Sequence, residues 1–109
     1  MADDVLRKLA ATIDERRSAA AHASYTRQLL DAGPERCARK LGEEATETII
    51  AALGSDGRAL AREAADLVYH LLVLLASKGL PLAAVLDELE ARMGTSGLAE
   101  RAARSTSAP

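Results

Sequence analysis

Apolar positions recur at the three- and four-residue spacing of helices in successive stretches of the chain. Val5, Leu6, Leu9 and Ile13 mark one face of a first helix, with Asp3, Arg7, Lys8, Asp14 and Glu15 on its other faces, from about Asp3 to Arg17 or slightly beyond. Residues 18–23 lack a clear period and read as a loop or a frayed continuation. Ser24 suits an N-cap for a short helix over Tyr25 to Leu30, which Gly33 ends and after which Pro34 opens the next. That third helix runs from about Pro34 to Leu53. At ~100° per residue, Ala38, Leu41, Ala45, Ile49 and Ala52 form its main apolar stripe, with Lys40, Glu44 and Glu47 along one edge, Glu43 further round and Ile50 nearly opposite. The fourth, from about Asp56 to Lys78, is apolar nearly all round after Asp66. Gly79 stops it, and Leu80-Pro81 starts a fifth that runs to about Met93 with Leu82, Val85, Leu86 and Leu89 as its face. Gly94 to Gly97 breaks the pattern. Residues 1–95 therefore read as one all-α domain, and residues 96–109 as a tail with a short helix over Ala99 to Arg104 and a disordered end.

The expected architecture is an antiparallel helical bundle completed by dimerisation. An isoleucine opposite the main stripe and a fourth helix apolar all round both need cover that one small chain does not provide. Composition agrees: among 109 residues there is no Phe or Trp, and Ala and Leu fill the apolar fraction, which suits close-packed helices. A net charge of −2 gives no general field for nucleic acid or a membrane surface. The lone Cys37 excludes an intramolecular disulfide framework and fits a reducing interior. The acidic opening and its spaced apolar positions do not suit a signal peptide, and the longest apolar run, Leu71 to Ala76, is too short for a bilayer. A cytoplasmic protein is expected.

The candidate chemistry lies in two carboxylate pairs with i, i+3 spacing, Glu44/Glu47 and Glu63/Asp66. On a helix such a pair sits about 60° apart around the axis and about 4.5 Å apart along it. Gly54-Ser55-Asp56-Gly57 between them is short enough to force the two helices antiparallel, so the pairs face each other. His70 shares the edge of Glu63 and Asp66. A lone acidic pair is ordinarily a solvated helix face, but these flank apolar stripes on adjacent helices. There, carboxylates must be metal-bound, paired or protonated. All-oxygen ligands point to Mg²⁺ or Mn²⁺, and no Cys/His cluster supports zinc. Such an ion on few carboxylates implies phosphoryl or pyrophosphoryl hydrolysis. A structural calcium site is the competing use of the acids, but no EF-hand spacing is present.

Glu44-x-x-Glu47 and Glu63-x-x-Asp66 resemble the signature of the all-α nucleoside-triphosphate pyrophosphatases, the MazG-like superfamily. Ser24-Tyr25-Thr26, Lys40-Leu41-Gly42-Glu43-Glu44-Ala45-x-Glu47 and Glu63-Ala64-Ala65-Asp66-Leu67-x-Tyr69-His70-Leu71-Leu72 narrow the likeness to the phosphoribosyl-ATP pyrophosphatases of histidine biosynthesis, over residues 3 to 104. The resemblance implies Mg²⁺-dependent hydrolysis of 1-(5-phosphoribosyl)-ATP to 1-(5-phosphoribosyl)-AMP and pyrophosphate by a dimer. It assigns Glu44, Glu47, Glu63 and Asp66 to metal, and Glu43 to an outer ligand or a base that orients water. Lys40 would meet phosphate, and Ser24, Tyr25 and Arg27 would lie near the nucleotide. His70 would bind substrate, brace Asp66 or simply be satisfied structurally; Tyr69 points away, to core or interface. Residues 19–23 are blander than the Gly/Pro-bearing approach usual in the family. Some relatives carry a fused cyclohydrolase domain; this chain is expected to act alone. A house-cleaning dNTP pyrophosphatase of the same superfamily is the second reading, although its sites commonly use aromatics and this chain has only Tyr25 and Tyr69. A non-catalytic helical dimer module is the third.

Overall fold

The computed structural model describes residues 2–93, with side chains from residue 4, and these residues contain helices and no strand. Helix α1 spans Ala2–Glu15, α2 Tyr25–Ala32, α3 Pro34–Leu53, α4 Gly57–Ser77 and α5 Leu82–Met93; single 3₁₀ turns at Arg16–Ser18 and Ala21–Ala23 bridge α1 and α2. The expected tail over residues 96–109, with its short helix, lies outside the described residues.

Local chemistry sets the breaks. Ser24 Oγ accepts from the Arg27 N–H at 3.1 Å, and Asp56 Oδ1 accepts from the N–H groups of Arg58 and Ala59 at 3.0 and 3.3 Å, so both act as N-caps. Gly33, at φ 94°, closes α2 and opens α3 in one residue. Its N–H reaches the carbonyls of Leu29 and Leu30, and its own carbonyl receives Cys37 N–H. α4 ends in a Schellman motif: Leu80 N–H bonds Leu75 O at 2.9 Å and Gly79 N–H bonds Ala76 O at 3.0 Å, with Gly79 at φ 70°. After this turn α5 departs at 113° to α4.

The α3–α4 hairpin is the backbone of the molecule, and α1 and α2 lean on it. Its core is thin. Ile13, Leu29, Cys37, Leu72 and Val73 are the buried apolar residues among those described, with Leu9, Leu30, Tyr69, Leu74, Leu75, Ala76 and Leu82 packed around them.

One expectation is corrected. The face of α3 that packs within the chain runs through Cys37, Leu41, Glu44, Ala45, Thr48 and Ala51, while Ala38, Ile49 and Ala52 of the expected stripe are exposed. The stripe is rotated because α4 takes the side of α3 that carries Glu44, which places that carboxylate in the helix–helix contact instead of at its edge. Ile49, Ile50 and Leu53 stay out at 61, 64 and 84% exposure, and Val68 and Leu71 of α4 are partly exposed as well. At the periphery, Val5 of α1 and Leu89 of α5 are also more exposed than their place on an apolar face implies.

Candidate active site

Where α3 and α4 run side by side, Glu44, Glu63 and Asp66 each offer a carboxylate oxygen, and the three oxygens lie within 4.8 Å of one another. Glu44 is 8% exposed, Glu63 is half-buried and Asp66 is open to solvent, so the cluster has a floor and a mouth. Glu47, one turn beyond Glu44, is solvent-exposed, and its carboxyl lies near enough to raise the pKa of both Glu44 and Glu63. It belongs to the cluster but not to the tight triad. Thr48 ties the two helices at this level, its hydroxyl lying 2.8 Å from the carbonyl of Glu44 and 3.1 Å from that of Glu63.

This packing strains the acids electrostatically. Burial, then the neighbouring Glu47 carboxyl, raises the Glu44 carboxyl above its ordinary pKa, with His70 opposing and Asp66 adding. Glu63 is raised by burial first, then by Glu47 and Asp66, with Arg62 opposing. Among the described residues, the buried side-chain oxygens lacking any hydrogen-bond partner are Glu44 Oε2 and Glu63 Oε2. Buried polar atoms are normally satisfied. Two orphaned oxygens on facing helices beside a third carboxylate fit a cation, and a donor set of carboxylate oxygens alone fits a hard one. The triad can bind a metal ion.

The substrate residues expected from sequence divide into two groups. Tyr25 and His70 come together beside the acids. His70 Nδ1 lies 2.8 Å from the Asp66 carbonyl, which can only accept, so Nδ1 carries a proton. In the neutral ring Nε2 then accepts from the Tyr25 hydroxyl at 3.3 Å. His70 is thereby bonded to the backbone of the turn that carries Asp66. Lys40 Nζ is 3.2 Å from Glu43 Oε2. That hydrogen bond, then the charge effects of Tyr25 and the nearby acids, holds its ammonium above the ordinary value, so it remains a cation at the mouth. Arg27 and Ser24 are engaged locally. The Arg27 guanidinium holds Asp31 at 3.0 Å and the Ala19 carbonyl at 2.6 Å, which fixes the approach to α2, and Ser24 caps that helix.

Two links were not legible in the sequence. Thr48 carries no pattern that distinguishes it from any mid-helix threonine. Tyr69, expected in core or interface, does pack against the core, but its hydroxyl bonds that of Thr26 and its ring stands edge-on to His70 at 4.9 Å. Burial pushes its phenol up.

The profile of the phosphoribosyl-ATP pyrophosphohydrolase family matches residues 6–93. The chain belongs to this family. It is 55% identical over 100 residues to a phosphoribosyl-ATP pyrophosphatase of Cereibacter sphaeroides, covering 92% of this chain and 97% of that protein. It is 54% identical over 101 residues to the enzyme of the same name from Caulobacter vibrioides, covering 93% and 94%. To that of Novosphingobium aromaticivorans it is 53% identical over 102 residues, covering 94% and 95%. Among the described residues no single helix is long and apolar enough to cross a membrane.

Proposed function

We propose that the chain hydrolyses 1-(5-phosphoribosyl)-ATP to 1-(5-phosphoribosyl)-AMP and pyrophosphate, a step of histidine biosynthesis, using Mg²⁺ held by Glu44, Glu47, Glu63 and Asp66. Family membership supports the reaction. The observation that carries the site is the pair of orphaned oxygens on Glu44 and Glu63, buried in a cluster that only a cation or protons neutralise. When bound, the ion neutralises phosphate charge and makes water a better nucleophile. The chain's own residues supply the rest. Lys40 offers a fixed cation to a phosphate oxygen, and the Tyr25 hydroxyl, aimed by His70, borders the nucleotide. Glu43, open to solvent beside Glu44 in sequence, would take the proton of the water that attacks the α-phosphorus, while pyrophosphate leaves as the anion.

The working unit in this proposal is a homodimer. A thin core and exposed Ile49, Ile50, Leu53, Val68 and Leu71 on one hairpin support a second copy as their cover. The lone, buried Cys37 fits a reducing, cytoplasmic setting.

The test incubates the purified protein with phosphoribosyl-ATP and, separately, with free dNTPs, and measures pyrophosphate with Mg²⁺, with Mn²⁺ and in excess chelator. Release from phosphoribosyl-ATP that chelation abolishes is expected. Full turnover in chelator sinks the metal assignment; preference for dNTPs sinks the substrate.

A further inference from the structure

Helix α2 is eight residues long and has one buried side chain, Leu29, so apolar packing alone holds it weakly. Its first turn nevertheless carries Tyr25, the residue bonded to His70 at the edge of the acidic cluster. The neighbouring residue, Thr26, reaches α4 one position earlier, where its hydroxyl bonds that of Tyr69. The start of α2 is thus fastened to α4 by two adjacent side-chain bonds, Tyr25 to His70 and Thr26 to Tyr69. Tyr69 serves both: its ring, 84° to the imidazole, also limits how His70 can turn. A phenylalanine would fill the same space against the core. The hydroxyl is therefore not needed for packing, and its partner lies beside Tyr25.

We infer that Tyr69 is a positioning residue, which through its hydroxyl bond to Thr26 and its ring contact with His70 holds Tyr25 in register with the metal cluster for nucleotide binding. The inference rests on the hydrolase reading above. Tyr69 touches neither substrate nor ion; it acts through α2. Removing its hydroxyl loosens substrate contacts made by Tyr25 and leaves the carboxylates in place.

The experiment compares the parent with Tyr69→Phe, Thr26→Val, their double variant and Thr26→Ser, reading KM, kcat, half-saturating Mg²⁺ and melting temperature. Tyr69→Phe and Thr26→Val are each expected to raise KM for phosphoribosyl-ATP about fivefold to tenfold, the scale of one neutral hydrogen bond. The Mg²⁺ requirement and kcat stay put. The double variant matches the singles, because both cut the same bond, and Thr26→Ser keeps the parental KM. Without substrate, the nitrogen resonances of His70 should show Nε2 losing its donor in Tyr69→Phe. An inactive parent overturns the hydrolase reading and this inference with it. An active parent whose variants keep KM and the His70 resonances, or lose only kcat and melting temperature together, overturns the inference alone.

Discussion

The α3–α4 hairpin breaks the usual partition of side chains twice, in opposite directions. On one side Glu44 is buried with an unpartnered oxygen, facing Glu63 across the contact. On another, Ile49, Ile50 and Leu53 are left in solvent. Either departure alone would be a defect costing stability. Together they support the two partners proposed above, a cation and a second copy of the chain. In that proposal charge completes the acidic side and shape the apolar side, so the first should respond to ions and pH and the second to protein concentration.

The sharpest way to break the comparison is at the acids. Glu44→Gln or Glu63→Gln is expected to lower turnover by more than about 100-fold, beyond what loss of a supporting group around a metal site costs. Without metal, each variant should melt above the parent, because a repelling carboxylate is gone. With Mg²⁺ the order reverses, since the ion stabilises only a protein that retains its ligands. Variants that melt well below the parent without metal would show that these acids stabilise the fold as ion pairs.

Next comes the apolar side. Ile50→Lys should shift the protein to monomer at micromolar concentration in sedimentation, with a lower melting temperature. A parent that already sediments as a well-folded monomer would remove the second half of the comparison.

A pH series separates the two sides in the unaltered protein. Glu44 and Glu63 both have raised affinity for protons when folded. Over the range above the ordinary carboxylate pKa the folded state therefore holds more protons than the unfolded one. The metal-free melting temperature should fall as pH rises through that range and be highest on its acid side. Saturating Mg²⁺ should flatten or invert the slope, because the ion needs ionised ligands. A metal-free slope of the opposite sign contradicts the strained-acid account. The smallest effect is expected from Thr48→Val. It removes the hydroxyl between the Glu44 and Glu63 carbonyls and should weaken Mn²⁺ binding, measured by calorimetry, by about tenfold. Serine at this position should restore the affinity.

Much of this was legible before any coordinates because it is local. Ser24 announces a cap, Gly33-Pro34 a break and restart, and Gly79 a stop; each acts within four residues of itself. The acid spacing likewise encodes its own geometry once two helices are joined by a short turn. The buried face of α3 was not legible. A search for the most apolar stripe favours Ile49, whereas the chain's own α4 packs over Glu44 and Thr48 and leaves the isoleucines out. Hydrophobicity ranks the faces of a helix, but it does not say which face the neighbouring helix takes. The Thr26–Tyr69 bond escaped for a related reason: two hydroxyls 43 positions apart meet only once α2 has been laid across α4.

Cys37 gives the molecule a built-in clock. Its thiol is 1% exposed and donates to the Leu29 carbonyl at 3.2 Å, spanning the break at Gly33 from α3 back to α2. A thiol reagent reaches the sulfur only when that region opens, so the modification rate of the native protein counts how often it does. No fluorophore, isotope or engineered residue is required. Run in turn on the free protein, with Mg²⁺, and with Mg²⁺ and nucleotide, the same measurement shows which addition slows the opening of the α2 end.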